Sequence, residues 1–203
     1  MKPTEVLENE HRVIERVLSC LEKLTDMSEK KKKLDCDAAR DMIDFFRVFA
    51  DRFHHAKEER HLFAALETCG LPRDGGPTGV MLAEHELGRG FIGEMETAVN
   101  NYARGEVSAL GDFVSAARAY LPLLREHIQK EDHCLFAMAN ENLSAVQQEH
   151  LLQALRDEEE GLPKDRGHDF YLKKALALAE RFQIKPADKG PAPTCGSGTC
   201  SHH

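Results

Sequence analysis

The chain has 203 residues, which is enough for one domain with a sizeable core and a short tail. Its formal net charge of -8 argues against nucleic acid or an anionic membrane as the main partner. The sequence has no apolar run near the roughly 20 residues of a membrane-spanning helix, and its charged start lacks the apolar core of a signal peptide. We therefore expect a cytoplasmic protein.

The first predicted helix covers about residues 4–25 and carries an apolar stripe. His11 lies on this stripe, four residues after Leu7 and three before Ile14, so its side chain is expected to face inward. The basic segment 28–35 is expected to be a polar connection.

The second predicted helix covers about residues 37–69, and two polar residues interrupt its apolar face. His54 and Glu58 are four residues apart, so their side chains leave the same side of the helix one turn apart. His55 and Glu59 follow them directly and are rotated by about 100°. We therefore expect His55 and Glu59 to lie on the flank of the helix.

The third predicted helix covers about residues 78–104, and His85 belongs to its inward-facing set. Glu84 and Glu86 lie on either side of this histidine, and Arg89 follows one turn later. These three charged residues are expected to form ion pairs at the surface.

The fourth predicted helix covers about residues 108–139, and its apolar stripe contains His127 and Glu131. Tyr120 lies on the same stripe and is expected to be a core residue. We expect the other imidazole and acidic side chains beside these inward positions to be solvated, namely His61, Asp132 and His133.

Two further helices are predicted at about 144–161, where Ser144 and Gln147 suit a capping box, and at about 168–183. Residues 1–184 are expected to form the domain, and residues 185–203 a mobile tail rich in proline and glycine. The tail could hold a thiophilic metal or form a disulfide, but it lacks a C-x-x-C spacing, which favours a disordered end. Its relevant residues are Cys195, Cys200, His202 and His203.

One ten-residue pattern occurs twice, at 54–63 and at 127–136, and both copies share H-x-x-K-E-[ED]-x-x-L-F. A helix with a single inward histidine precedes each copy. The chain therefore consists of two similar halves, and its four long helices are predicted to form an all-α bundle. Six inward polar side chains could then meet at one level of the bundle: His11, His54, Glu58, His85, His127 and Glu131.

Burying these six groups without partners would be costly, since an uncompensated carboxylate costs several kcal/mol. Metal ions would compensate all of them together, and a mixture of imidazole and carboxylate ligands favours iron or manganese over calcium. Six groups exceed what one tetrahedral zinc ion needs. Two ions that share Glu58 and Glu131 would use the whole set.

The ordered set H…HxxxE…H…HxxxE resembles the hemerythrin-like, HHE cation-binding family over roughly residues 5–183, and differs from the Glu-x-x-His spacing of ferritin-type bundles. The resemblance implies an up-down four-helix bundle with two additional C-terminal helices. It also implies a non-haem centre of two iron ions bridged by oxide or hydroxide. The six residues would be the ligands, and Glu58 and Glu131 would bridge the ions. Manganese and zinc are the alternative metals.

Oxygen-carrying hemerythrins have a second histidine four residues after the first on the third helix, and Arg89 stands at that position here. The resemblance therefore implies that one iron lacks a protein ligand, which argues against simple reversible O2 carriage. It favours a protein that reacts with or senses O2, peroxide or NO. An iron-handling, iron–sulfur-repair-like or regulatory module is the first alternative, and a structural bundle without a redox role is the second. The sequence identifies no protein partner.

Overall fold

The computed structural model of the chain describes residues 1–160 and 166–185. The proposed metal or disulfide site of the tail lies outside the described residues. Within the described part the protein is all-α, with six helices and no strand, which confirms the predicted fold class. Their bounds are α1 Pro3–Lys31, α2 Cys36–Thr68, α3 Pro77–Ala103, α4 Ala109–Asn142, α5 Ala145–Glu160 and α6 His168–Arg181.

The helix ends follow local hydrogen bonding. α1 continues past the predicted end near residue 25 and closes at Lys32, whose left-handed backbone (φ 53°) directs its N–H to the carbonyl of Ser28. The polar connection predicted at 28–35 is therefore helical over its first half. Asp35 rather than a later residue caps α2, because its carboxylate accepts a hydrogen bond from the Ala38 N–H.

Two apolar clusters give the direction of each helix in the bundle. The large cluster contains Ile14, Phe53, Ile92 and Leu124, and the small cluster contains Leu7, Leu62, Met81 and Leu135. α1 and α3 therefore run from the small cluster to the large one, whereas α2 and α4 run back. This up-down order confirms the predicted four-helix bundle.

The two C-terminal helices cover opposite parts of the bundle. α5 adds Leu151 and Leu155 to the small cluster, and α6 adds Tyr171 and Leu178 to the large one. None of the described helices combines the length and the apolar character that crossing a bilayer requires.

α2 and α4 depart from α-helical geometry near the middle of the bundle. In α2 the π-helical segments are Phe46–His55 and Glu58–Leu62, and in α4 the π-helical segment is Glu131–Leu135. A π turn bonds an N–H to the carbonyl five residues back instead of four, so it turns less per residue and changes which side chains face inward. All three segments contain or adjoin the inward polar residues.

Phe49 supports the large cluster at the first of these segments. It is fully buried, stacks on Phe45 with a ring-centroid distance of 4.9 Å, and packs against His168 of α6 at 5.3 Å. We expect Phe49→Ala to lower the free energy of unfolding by about 3–5 kcal/mol, measured by urea denaturation at matched metal content. Phe170→Ala is the control, because Phe170 is 40% exposed, and it should cost under about 1 kcal/mol. Equal losses would contradict this account of the core.

Candidate metal centre

The six residues predicted from the sequence pattern meet in one polar layer between the two apolar clusters. Each of them is at most 2% exposed. α1 contributes His11, α2 contributes His54 and Glu58, α3 contributes His85, and α4 contributes His127 and Glu131.

The first group of candidate ligands comprises His11, His54, Glu58 and Glu131, whose ligand atoms all lie within 4.8 Å of one another. The Nε2 atom of His11 is 3.3 Å from Oε2 of Glu131, and Nε2 of His54 is 3.4 Å from Oε1 of Glu58. This first cluster is large enough and polar enough for one metal ion.

The second cluster comprises His55, Glu58, His85 and His127, again within 4.8 Å. The Nε2 atoms of His85 and His127 are 3.1 Å apart, and Nε2 of His85 is 3.6 Å from Oε2 of Glu58. Oε2 of Glu131 lies 3.2 Å from Nε2 of His127. Glu58 therefore belongs to both clusters, and Glu131 contacts histidines of both.

His55 is the candidate ligand that the sequence analysis missed. Its expected flank position is wrong, because the side chain is only 6% exposed and its ring stacks on His85 at a centroid distance of 3.7 Å. The residue ends a π-helical segment, which turns less per residue than an α-helical projection assumes. The sequence contained one signal for this ligand. The first copy of the pattern has the doublet His54–His55, whereas the second copy has Ile128 at the position equivalent to His55.

The imidazole from α2 also changes the interpretation of Arg89. That position was expected to leave one metal short of a protein ligand, yet the second cluster contains three imidazoles. Arg89 lies outside the cluster, where it donates to Asp51 and Glu59, each at 2.8 Å.

A carboxylate accepts a hydrogen bond from Nδ1 of four of these histidines. Such bonds fix the ring orientation and leave Nε2 directed at the metal. The expectation that Glu59 and Asp132 would be solvated flank residues was wrong, because their side chains are only 26% and 11% exposed. Glu84 forms an ion pair with Lys130, but its side chain is only 15% exposed and also contacts His127. The pairs are His11 with Asp132 at 2.6 Å, His54 with Glu10 at 2.9 Å, His85 with Glu59 at 2.7 Å, and His127 with Glu84 at 2.9 Å.

A cation lies behind each of these carboxylates. The pairs are Asp132 with Arg12, Glu10 with Lys57, Glu59 with Arg89, and Glu84 with Lys130. Lys57 is only 1% exposed, and its Nζ atom is 2.5 Å from Glu10. The hydrogen bond from His85 and the guanidinium of Arg89 lower the pKa of Glu59 to about 2, although burial opposes this. Glu59 therefore stays ionised near neutral pH.

The C-terminal helices reach this outer layer. Nε2 of His168, at the start of α6, lies 3.6 Å from Oε1 of Glu10, and its Nδ1 lies 3.2 Å from Glu159 of α5. Glu10 thus links His54 of the first cluster to α6.

The unpartnered polar atoms of the site fit a metal. Among the described residues, no hydrogen-bond partner exists for Nε2 of His11 and His54 or for either oxygen of Glu58 and Glu131. A buried polar atom left in this state costs about 1–3 kcal/mol, and more if charged. Imidazole nitrogens and carboxylate oxygens that converge in two overlapping sets are a suitable donor set for a pair of first-row metal ions.

A family model and several known proteins match this chain. The family model described as the hemerythrin HHE cation binding domain matches residues 2–139. One uncharacterized protein of Mycobacterium bovis and uncharacterized proteins of two Mycobacterium tuberculosis strains are each 24% identical to this chain over 155 residues. The aligned region covers 76% of this chain and 60% of each relative, so the chain spans less than two thirds of their length. No solved structure matches significantly.

Metal binding should release protons at pH 7. Burial and the neighbouring Glu131 raise the pKa of Glu58 well above its usual value. Burial opposes the charge of His127, but Glu131 and Glu84 raise its pKa to about 9. His127 is therefore protonated at pH 7 without metal and must lose its proton to hold a cation, and the raised pKa of Glu58 favours the loss of another, so loading should release about one to two protons per chain. Calorimetric titration with zinc(II) in buffers of different ionisation enthalpy measures this number, and a value of zero would contradict the charge assignment.

His55→Ala tests the position of the second cluster. Removing this imidazole should lower the bound metal by about one ion per chain, because only two imidazoles and one shared carboxylate would remain there. His133→Ala is the matched control, since His133 lies on the partly exposed flank of α4, and its metal content should be unchanged. Elemental analysis after reconstitution measures both. Equal loss in the two variants would mean that the site is assigned to the wrong helix faces.

Proposed function

The chain belongs to the hemerythrin HHE cation-binding domain family, and we propose that its buried layer holds two iron ions that react with a small oxidant. Membership of this family implies metal-ion binding, and the His/Glu clusters are the candidate site. The number and identity of the ions are the proposed part. Manganese or zinc would suit the same donors, and metal analysis separates these cases.

The shared carboxylate is the observation that carries the proposal. Glu58 is a member of both clusters, and the same oxygen of Glu131 lies within 3.3 Å of one histidine from each. A single ion would leave one cluster with buried, unsatisfied donors. Two ions held by Glu58 and Glu131 together with the histidines would satisfy both clusters, and a reduced iron pair there would supply two electrons to an oxidant.

The residues around the layer exclude water from most sides. The ring of Phe136 stacks on His11 at a centroid distance of 5.5 Å, and Phe63 stacks on His85 at 6.0 Å. The second cluster differs, because a cavity adjoins His55, His85 and His127. We propose that O2, peroxide or NO enters from this side.

A regulatory role is the second candidate, and it rests on α6. Because His168 lies against Glu10, which in turn holds His54, loss of the metal would loosen the contact between α6 and the bundle. In this alternative the partner would recognise the altered packing. Chelation that raises the proteolytic sensitivity of α6 without any reaction with oxidants would favour it.

Anaerobic reconstitution with ferrous iron tests the proposed function. We expect about two iron ions per chain and a new charge-transfer absorption when O2, hydrogen peroxide or NO is added. Glu131→Ala should lose at least one iron and the absorption change, because a carboxylate near both clusters is gone. His133→Ala should keep both. Two bound iron ions with an unchanged spectrum for all three oxidants would rule out the redox role, and less than one equivalent of any metal would rule out the centre.

A further inference from the structure

A cavity of about 270 Å³ adjoins the second cluster between α2, α3 and α4. Three of its lining residues are the histidines of that cluster. Apolar side chains form much of the remaining wall, and the exposed Arg52 marks where it meets solvent. The apolar wall consists of Phe46, Ile92, Leu124 and the ring of Tyr120.

The volume exceeds what the proposed oxidants need. A water molecule occupies about 30 Å³ in the liquid, and O2, NO or hydrogen peroxide is of similar size. An apolar cavity of about 150 Å³ is already large enough for benzene. The space beside His55 therefore suits an organic molecule of roughly ten heavy atoms.

The hydroxyl of Tyr120 is a second observation that points to a ligand. Tyr120 lines the cavity and is only 3% exposed, yet its hydroxyl makes no hydrogen bond within the part of the chain that the structure describes. Its ring is held edge-on by Phe46 at a centroid distance of 5.2 Å. Burial raises the pKa of Tyr120, so the hydroxyl keeps its proton and can donate to a ligand oxygen.

The charged side chains around the cavity favour an uncharged ligand. Arg89 is paired with Asp51, and Arg47 makes two hydrogen bonds with Glu96 at 2.7 and 2.8 Å. Glu84 accepts a hydrogen bond from His127 and pairs with Lys130. Apart from the exposed Arg52 at the mouth, the charged side chains that line the cavity already have partners, so an ionic ligand inside it would have to displace an existing pair.

We propose that this cavity binds neutral organic hydroperoxides, with the apolar group between Phe46, Ile92 and Leu124 and an oxygen at the Tyr120 hydroxyl. Binding is independent of the proposed function, and only the reduction of the bound molecule rests on it. Reduction to the alcohol breaks the O–O bond, consumes two electrons and two protons and releases water. The ferrous pair of the proposed function is the electron source, and solvent at the open side supplies the protons.

The first test measures binding without redox chemistry. The probe is 2-phenylpropan-2-ol, the alcohol of cumene hydroperoxide, titrated calorimetrically onto the zinc(II)-loaded protein. We expect saturable binding, and Tyr120→Phe should weaken it about three- to tenfold because one hydrogen bond is lost. Absence of saturable binding to the unaltered protein would overturn the proposal.

A matched glycine pair on α3 tests the location. A Cβ at Gly88 would meet Tyr120 at 3.5 Å, an ordinary contact, so the Gly88→Leu side chain can enter the cavity and should weaken probe binding at least about tenfold. Gly93→Leu is the control, since Gly93 has no atom within 4 Å of its Cβ position and lies outside the cavity. Circular dichroism checks that both variants fold. Equal effects of the two substitutions would overturn the proposed site.

The ferrous protein separates this proposal from the proposed function. The rate with cumene hydroperoxide divided by the rate with hydrogen peroxide should fall at least about tenfold in Gly88→Leu and stay constant in Gly93→Leu. An unchanged ratio in Gly88→Leu would overturn the proposal even if iron reacts. The two proposals can also fail separately. If the two α3 variants change probe binding as expected but the iron reacts with no oxidant, the cavity is supported and the redox function is rejected.

Discussion

Two buried carboxylates impose the main constraint on this fold. Glu58 and Glu131 lie in the middle of a helical bundle, and their four oxygen atoms have no hydrogen-bond partner among the described residues. Burying an ionised carboxylate in such a place is costly without a compensating cation, and burial together with Glu131 raises the pKa of Glu58 well above its usual value. The apolar clusters on either side hold the helices, whereas cations would compensate the buried carboxylates of the polar layer.

The outer layer of charges explains how several imidazoles can be packed so closely. Each of these carboxylates accepts a hydrogen bond from the Nδ1–H group of its histidine and pairs with a cation on its other side. Negative charge therefore does not accumulate around the centre. Lys57 shows the strength of this requirement, because a fully buried lysine is tolerated only where it is paired. The arrangement also distributes the site over every described helix, since Glu159 of α5 and His168 of α6 complete the group around Glu10.

The sequence predicts the bundle and the position of six inward polar residues because a 3.6-residue period is sufficient for both. It does not place His55, which the α-helical projection puts on the flank although its ring stacks on His85. His54 lies in the same π-helical segment and is placed correctly, so the error concerns the second histidine of the doublet. The contacts of Glu59, Glu84 and Asp132 with histidines were missed for another reason. A sequence pattern describes one helix at a time, whereas the histidine partners of these carboxylates come from neighbouring helices. Contacts such as Asp132 with His11 join α4 to α1 and leave no periodic signal.

The position of Arg89 relates the helix arrangement to how small molecules reach the second cluster. Arg89, four residues after His85, donates to Asp51 and Glu59, which in turn lie against His55 and His85. α2 supplies His55 instead, so the second cluster gains an imidazole from a different direction. Arg89 shares the lining of the adjoining cavity with Gly88 and Tyr120 of the two facing helices. The third imidazole comes from α2 and an outer-layer cation from α3, and this leaves an open, largely apolar space beside the second cluster. At the first cluster the ring of Phe136 packs on His11 instead.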